Sequence, residues 1–437
     1  MIGEEIQLTF GPGNFFLNHR QCFSPDDKWI VYDTRADDTQ ISCTGTIGIV
    51  HISSGECRDI YHTANQSDYG PGVGAATFSP VEQKVLFLHG PRNATRENPY
   101  GFTRRSGVSV DLDRAFFPVF LDARNVNFPF TKGALRGGTH AHAYSGDGKW
   151  ISFTYNDYVI GQLGFLNREV KDLRTVGVMM PGTVEVHSPD NIENYSGEMF
   201  SAVIAEVTET PAWGSNEIEK AFDETWIGTD GYVKEDGRKQ YRAVAFQGDT
   251  RETNGQLKTE VFVAELPRDI SIARPGKPLE GTQTSRPNVP EGVHQRRITF
   301  STFGLSGPRH WLRSTSDGSR IGFLSNDGHG QIQLFSVSPN GGPVLQITHH
   351  PFSIQSQFNF SPDDRLVVYL ADNRIYITDL VTHTSMSITP RFADDEKPMG
   401  AIVWSNNGQL LAYNRLVVYG TEKHPQIFIL KGTCNFP

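Results

Sequence analysis

Apolar runs of four to six residues, rich in β-branched and aromatic side chains, recur along this chain, and each is preceded by a short polar turn. Trp29-Ile30-Val31-Tyr32, Val85-Leu86-Phe87-Leu88, Trp150-Ile151-Ser152-Phe153, Leu366-Val367-Val368-Tyr369 and Leu410-Leu411-Ala412-Tyr413 read as strands. The turns before them share a phrase: Phe23-Ser24-Pro25-Asp26-Asp27, Phe78-Ser79-Pro80, Tyr144-Ser145-Gly146-Asp147-Gly148, Phe360-Ser361-Pro362-Asp363-Asp364 and Trp404-Ser405-Asn406-Asn407-Gly408. A strand, turn and strand unit returning every 45 to 65 residues or so is the pattern of a β-propeller. Outer strands are expected at Arg297-Ile298-Thr299-Phe300, Gln346-Ile347-Thr348-His349 and Ser387-Ile388-Thr389-Pro390, each just before a new repeat. The N-terminal Gln7-Leu8-Thr9-Phe10 has the same form with no blade before it. It therefore supplies the outer strand of the last blade and closes the ring, which removes the exposed sheet edges.

The expected fold is an all-β, seven-bladed propeller in one domain, 1–437, with inner strands near Gln21, Ala76, His142, Phe200, Trp311, Phe358 and Val403. Insertions are expected at about 205–240 and 268–292. Within the first, Ser215 to Phe222 reads as a short helix with Ser215 as its cap.

Composition narrows the function. With 37% hydrophobic residues, 43 Gly and 25 Pro, the chain suits a large β core with many tight turns. A formal charge of -9 excludes a nucleic-acid groove, which needs a concentrated basic face. The first ten residues carry Glu4 and Glu5 and no long apolar run, so neither a secretory leader nor a membrane span is read, and a cytoplasmic protein is expected. A chain already trimmed of a leader would look the same and would be periplasmic. Cys22, Cys43, Cys57 and Cys434 have no CxxC spacing and read as buried free thiols. GxSxG, P-loop, HExxH and Rossmann glycine patterns are absent.

In a propeller, residues just before each Ser-Pro-Asp turn converge near one mouth of the central channel. Arg136-Gly137-Gly138-Thr139-His140-Ala141-His142 places two histidines at i and i+2, on the same side of a regular strand. Neutral imidazoles suit Mn, Fe, Ni or Zn, and one or two ligands from other blades would complete a site. Completions stand at equivalent places: His310 in Pro308-Arg309-His310-Trp311, Gln357 in Gln355-Ser356-Gln357, and Asn18-His19-Arg20-Gln21. Arg20, Arg136 and Arg309 beside them offer guanidinium forks to a carboxylate or to paired sugar hydroxyls. Trp311 reads either as core or as a sugar platform. No Asp or Glu pair is seen at the mouth, which disfavours hydrolysis by paired carboxylates.

The turn phrases resemble those of TolB-like propellers. Leu135 to His142, Ser152-Phe153-Thr154-Tyr155-Asn156-Asp157, Pro308 to Trp311 and Ile354 to Asn359 resemble an uncharacterised bacterial family of such propellers. More distantly the chain resembles oligogalacturonate lyases, seven-bladed propellers that hold a Mn-type ion on histidines and a glutamine. That likeness implies His140, His142, His310 and Gln357 as metal ligands. In those lyases the paired histidines stand directly against the turn, whereas Ala143 intervenes here. It implies a metal-dependent lyase, with Mn the expected ion and Zn, Fe or Ni its alternatives, acting by β-elimination on uronate-containing oligosaccharides. His19, Arg136 and Arg309 would be catalytic, with His19 or an unliganded His310 taking the proton, and Arg20, Gln21, Trp311 and Gln355 would bind substrate. The expected partner is an acidic oligosaccharide, with neither nucleic acid nor membrane. The alternative is a non-catalytic platform for a protein or glycan.

Overall fold

A computed structural model describes residues 3–114, 116–187, 190 and 192–432. Seven radial sheets surround one axis, joined in chain order, and a two-stranded hairpin, Tyr232–Val233 with Lys239–Gln240, hangs from the fourth. Blade three shows the plan: Gly137–Tyr144 innermost, then Ile151–Asp157, Thr175–Val184 and Gly197–Val203 outermost. In blade seven the order is Met399–Trp404, Leu410–Tyr419, Glu422–Lys431, and last the N-terminal Glu4–Gln7, which pairs Glu4 with Lys431 and Gln7 with Phe428. The ring is closed as the sequence predicts.

The recurring turn phrase has a physical reason. Its Ser or Thr hydroxyl accepts the amide five residues on, at 2.8 to 3.0 Å in the turns of Ser24, Ser145, Thr315, Ser361 and Ser405. The same hydroxyl donates to the Asp or Asn two residues on, at 2.5 to 2.8 Å. The fourth residue has positive φ (Asp27 53°, Gly148 69°, Gly318 72°, Asp364 58°, Gly408 71°), so the phrase ends in Gly or Asp.

Middle strands lie between neighbouring blades and are buried on both faces; Leu366–Ala371 is buried at every position. Aromatic residues pair directly across the two middle strands: Phe246 with Phe262, Phe323 with Phe335, Tyr369 with Tyr376 and Tyr413 with Phe428, their rings stacked 5.9 to 6.2 Å apart. In blade three the partner is glycine, and a Cβ on Gly177 would come within 2.4 Å of the Phe153 ring and 2.8 Å of the Ala202 carbonyl oxygen. Gly177→Ala is therefore expected to destabilise the protein by about 1–3 kcal/mol in a denaturant titration. An unchanged midpoint would mean that the blade yields more easily than this packing allows.

Three expectations are corrected. Phe200 lies in the outermost strand of blade three, not in an inner strand. Blade four begins instead with Ile218–Trp226, so Ser215 to Phe222 runs into a strand and forms no helix. Cys22 is buried, but Cys43 and Cys57 are exposed; Cys434 lies outside the described residues. The helix of the described chain is Tyr158–Leu166, between two strands of blade three, with Asp157 as its cap. Among the described residues no helix is long and apolar enough to cross a membrane.

Candidate active site at the channel mouth

Blade one has no regular inner strand. Isolated bridges from Phe16 to Asp33 and from Phe23 to Ile30 stand in for it, and between them the chain turns into the channel, with Gln21 at φ 51°. The His19 ring stacks on Trp311 of blade five, 3.8 Å between centroids and 10° between planes. Arg313 donates to the His19 carbonyl at 2.9 Å and to Nδ1 at 3.1 Å. Asn359 of blade six donates to that same carbonyl at 3.2 Å and to Ile402 of blade seven at 2.8 Å. Arg20 reaches Thr225 of blade four at 3.5 Å, and Gln21 donates to the Tyr144 carbonyl of blade three at 3.2 Å. Blades one and five are not neighbours in a ring of seven, so Asn18 to Gln21 spans the axis.

The histidine pair is split by a bulge. Ala141 has φ 58°, and the register with the next strand slips between Ser152 and Thr154, so the alternation that would align His140 and His142 is lost. Thr139 Oγ1 donates to Asp122 at 3.0 Å and accepts from His142 Nε2 at 2.9 Å, leaving the buried Nδ1 without a partner. The His140 ring lies 6.2 Å from Phe102, and neither of its buried nitrogens has a partner. Burial first, then Arg105 and Arg174, hold its pKa well below the ordinary value, so it is neutral.

The expected metal set does not assemble. His310 Nε2 accepts the Leu324 amide at 3.1 Å and Nδ1 donates to the Pro308 carbonyl at 2.9 Å, so both ring nitrogens are occupied. Among the described residues no three His, Cys, Asp or Glu side chains are grouped to hold an ion. His140, His142, His310 and Gln357 therefore do not fit a manganese centre, although Gln357 is buried with an unpartnered Oε1.

Other expected residues are also moved. Arg136 is 1% exposed and ion-paired to Asp157 at 2.8 Å; its remaining nitrogens hold the carbonyls of Thr282 and Ser285, so it pins the 268–292 excursion and does not face the mouth. Exposed Gln355 accepts the Asn373 amide at 2.8 Å within blade six. Trp311 is buried beneath His19 and Arg309, whose guanidinium carbon lies 4.3 Å from its ring, so it is a packing post and not an open platform. His19 Nδ1 accepts from Arg313, which leaves its proton on Nε2 and removes it as the expected base.

What replaces the metal set is a cluster of arginines. Arg20, Arg105 and Arg313 are buried, and with Arg174 they have no carboxylate within ion-pair distance among the described residues. Arg20 Nε and Nη2 and Arg105 Nε lack any hydrogen-bond partner. Arg309 pairs with Asp223 at 3.1 Å. Fully buried Glu224 accepts from Thr154 at 2.8 Å and Ser152 at 3.3 Å; burial raises its pKa and Arg20 opposes that rise. Five guanidiniums thus face two carboxylates on a chain whose formal charge is -9. Buried charge without a counter-charge is costly, so the cluster is built for an anion.

Asp223 and Glu224 escaped the sequence reading because blade four was misplaced. Trp226-Ile227-Gly228-Thr229-Asp230-Gly231 is a degenerate turn phrase that would have found them. The Trp226 indole donates to the Ala143 carbonyl at 3.1 Å, as Trp404 does to Asn359 at 3.1 Å one blade before its own.

Residues 72–193, which include the Arg136 to His142 motif, match a family described as "Protein of unknown function (DUF3748)". The chain is 38% identical over 416 residues to the Escherichia coli K12 protein described as "Uncharacterized protein YidR", covering 93% of this chain and 94% of that one. The chain belongs to the DUF3748 family. Solved structures similar to this DUF3748 propeller include an oligogalacturonate lyase in complex with manganese (TM-score 0.55, 10% identity, 98% and 93% of the two chains). An oligogalacturonate lyase from Vibrio parahaemolyticus matches with TM-score 0.50 and 12% identity over 99% and 98%. The propeller domain of the Trilobed protease from Pyrococcus furiosus, of open velcro topology, has TM-score 0.50 and 11% identity over 96% of each chain. At such identities these likenesses concern the fold.

Proposed function

We propose that the channel mouth binds an acidic oligosaccharide through its arginines and cleaves it by β-elimination, with His140 as the base. The observation that carries this reading is the buried Arg20 guanidinium, two of whose nitrogens have no partner, in electrostatic reach of Asp223 and Glu224 at the axis. A uronate carboxylate would take those two nitrogens as a fork. The uronate substrate class is suggested by the names of the two lyase neighbours.

A nitrogen of neutral His140 takes the proton on the carbon α to the bound carboxylate. The freed electron pair delocalises into that carboxylate, and the guanidiniums hold the developing charge. The β carbon–oxygen bond then breaks, a ring double bond forms, and the imidazolium returns its proton to the departing sugar oxygen. The bound anion offsets Arg105 and Arg174, so binding itself raises the basicity of His140.

Unsaturated uronates absorb in the ultraviolet, so digalacturonate and longer oligomers should give rising absorbance. His140→Gln should lower turnover about 10²–10⁴-fold while titration still detects binding. Because no step here runs through an ion, chelator treatment should leave turnover unchanged; a loss restored by Mn would return His140 and His142 to a metal-ligand role. Binding without any absorbance change would leave the platform reading, and no binding of any acidic oligosaccharide would remove both.

A further inference from the structure

Arg104 and Arg105 are neighbours with opposite fates. Arg104 donates to the carbonyls of Asn98 and Pro99 at 2.7 Å, to Asn93 at 2.8 Å and to Glu193, with every contact serving to fix the loop that carries it. The loop lies directly on the inner strand of blade three because Gly138 has no side chain; a Cβ there would come within 2.2 Å of the Phe102 carbonyl oxygen. The Arg105 carbonyl then accepts the Thr139 amide at 3.0 Å, which locks the loop beside His140.

Held in this way, the loop presents Arg105 between two rings, its guanidinium carbon 4.7 Å from the Tyr100 centroid and 4.4 Å from Phe102. Arg105 is 7% exposed, its buried Nε has no partner, and no carboxylate is within ion-pair distance among the described residues. Phe102 is 57% exposed, with Arg174 5.4 Å from its ring. A phenyl ring with more than half its surface exposed, beside a rigid, uncompensated guanidinium, offers two things at once: apolar contact for the C–H face of a sugar ring and a fork for its carboxylate.

We infer that the Tyr100 to Arg105 loop is a second acidic-sugar subsite, taking the uronate next to the one held by Arg20, so that the ligand is a chain of at least two uronate units. This inference rests on the reading of the channel mouth as an acidic-oligosaccharide site. It moves the sugar platform from Trp311, where the sequence suggests it, to Phe102.

The test is calorimetric titration of the whole protein with galacturonate and with digalacturonate. Wild type is expected to bind the dimer at least about tenfold more tightly than the monomer, which corresponds to about 1.4 kcal/mol. Phe102→Ala and Arg105→Gln should each pull that ratio towards one. Phe102 is exposed, so its variant should keep the wild-type melting temperature; Arg105→Gln supplies an independent arm. Equal binding of monomer and dimer by wild type, or a ratio that both variants leave intact, overturns the second subsite while sparing the first. Failure of both sugars to bind wild type overturns the parent reading and this one with it.

Discussion

Replacing Arg20 with methionine is expected to abolish binding of acidic oligosaccharides and, in the same protein, to stabilise the fold. The two effects have one cause. Arg20 is buried, burial lowers its pKa, and two of its nitrogens find no partner. Replacing a buried guanidinium that makes no direct ion pair by an apolar group of similar length removes its desolvation cost, and four guanidiniums remain beside Asp223 and Glu224. Glu224 loses the nearby charge that opposes its raised pKa, but Thr154 and Ser152 still donate to it and it can take up a proton. A residue kept against the interest of stability is the signature of a functional site. Chemical denaturation and titration with digalacturonate on the same preparation check both halves. A variant that is less stable and still binds would make Arg20 an ordinary structural residue.

Acid should unfold this protein early and measurably. His19 and His140 sit well below the ordinary imidazole pKa, His142 at about 3, and His310 and His89 at about 4, burial being the largest cause in each case. For a histidine depressed in the folded state, the unfolded chain takes the proton first. Its contribution is therefore intact above about pH 6.5 and is lost as pH falls from there towards the folded value. Four carboxyls act in the opposite sense: Asp122 and Asp172 are pushed up to about 6, and Glu224 and Asp249 are raised, each chiefly by burial, while His350, also lowered by burial, acts with the other histidines. Near pH 5 the folded state retains protons on these that the unfolded chain releases. The net uptake on unfolding is then about two to three protons, or about 3–4 kcal/mol per pH unit. Set against a typical stability of about 5–15 kcal/mol, a drop from pH 6.5 to 5 consumes a large share. The pH dependence of denaturant midpoints gives the proton count directly. His89→Gln, remote from the mouth, should lower that count by about one. A flat profile between pH 7 and 5 would show that these histidines are not buried neutral groups.

The propeller was legible because its turn phrase is a local device: a Ser or Thr hydroxyl bridging five residues and a Gly or Asp at positive φ write themselves into sequence in five of the seven blades. The N-terminal closure was legible because Gln7-Leu8-Thr9 reads as an outer strand with no blade before it, although the segment that pairs is Glu4–Gln7, which meets the expected one only at Gln7. Blade four was not, because Trp226 to Gly231 keeps the Trp and the Asp-Gly but loses the Ser, and Ser215 imitates a helix cap. At the mouth, the segments were found but several of the roles were not. His140 and His142 look aligned only if the strand is regular, and a single bulge at Ala141 separates them. His310 looks free in sequence, yet its nitrogens are spent on the Leu324 amide and the Pro308 carbonyl. Arg105 and Arg174 precede no turn phrase, so position gave no hint of them; only folding brings them together with Arg309 around His140.

The most direct test is a crystal of the His140→Gln variant soaked with digalacturonate. The account predicts density at the channel axis, with a carboxylate within hydrogen-bond distance of Arg20 Nε and Nη2 and the α carbon facing position 140. Density bound elsewhere on the ring, or an axis that stays empty of sugar at millimolar concentration, would contradict it.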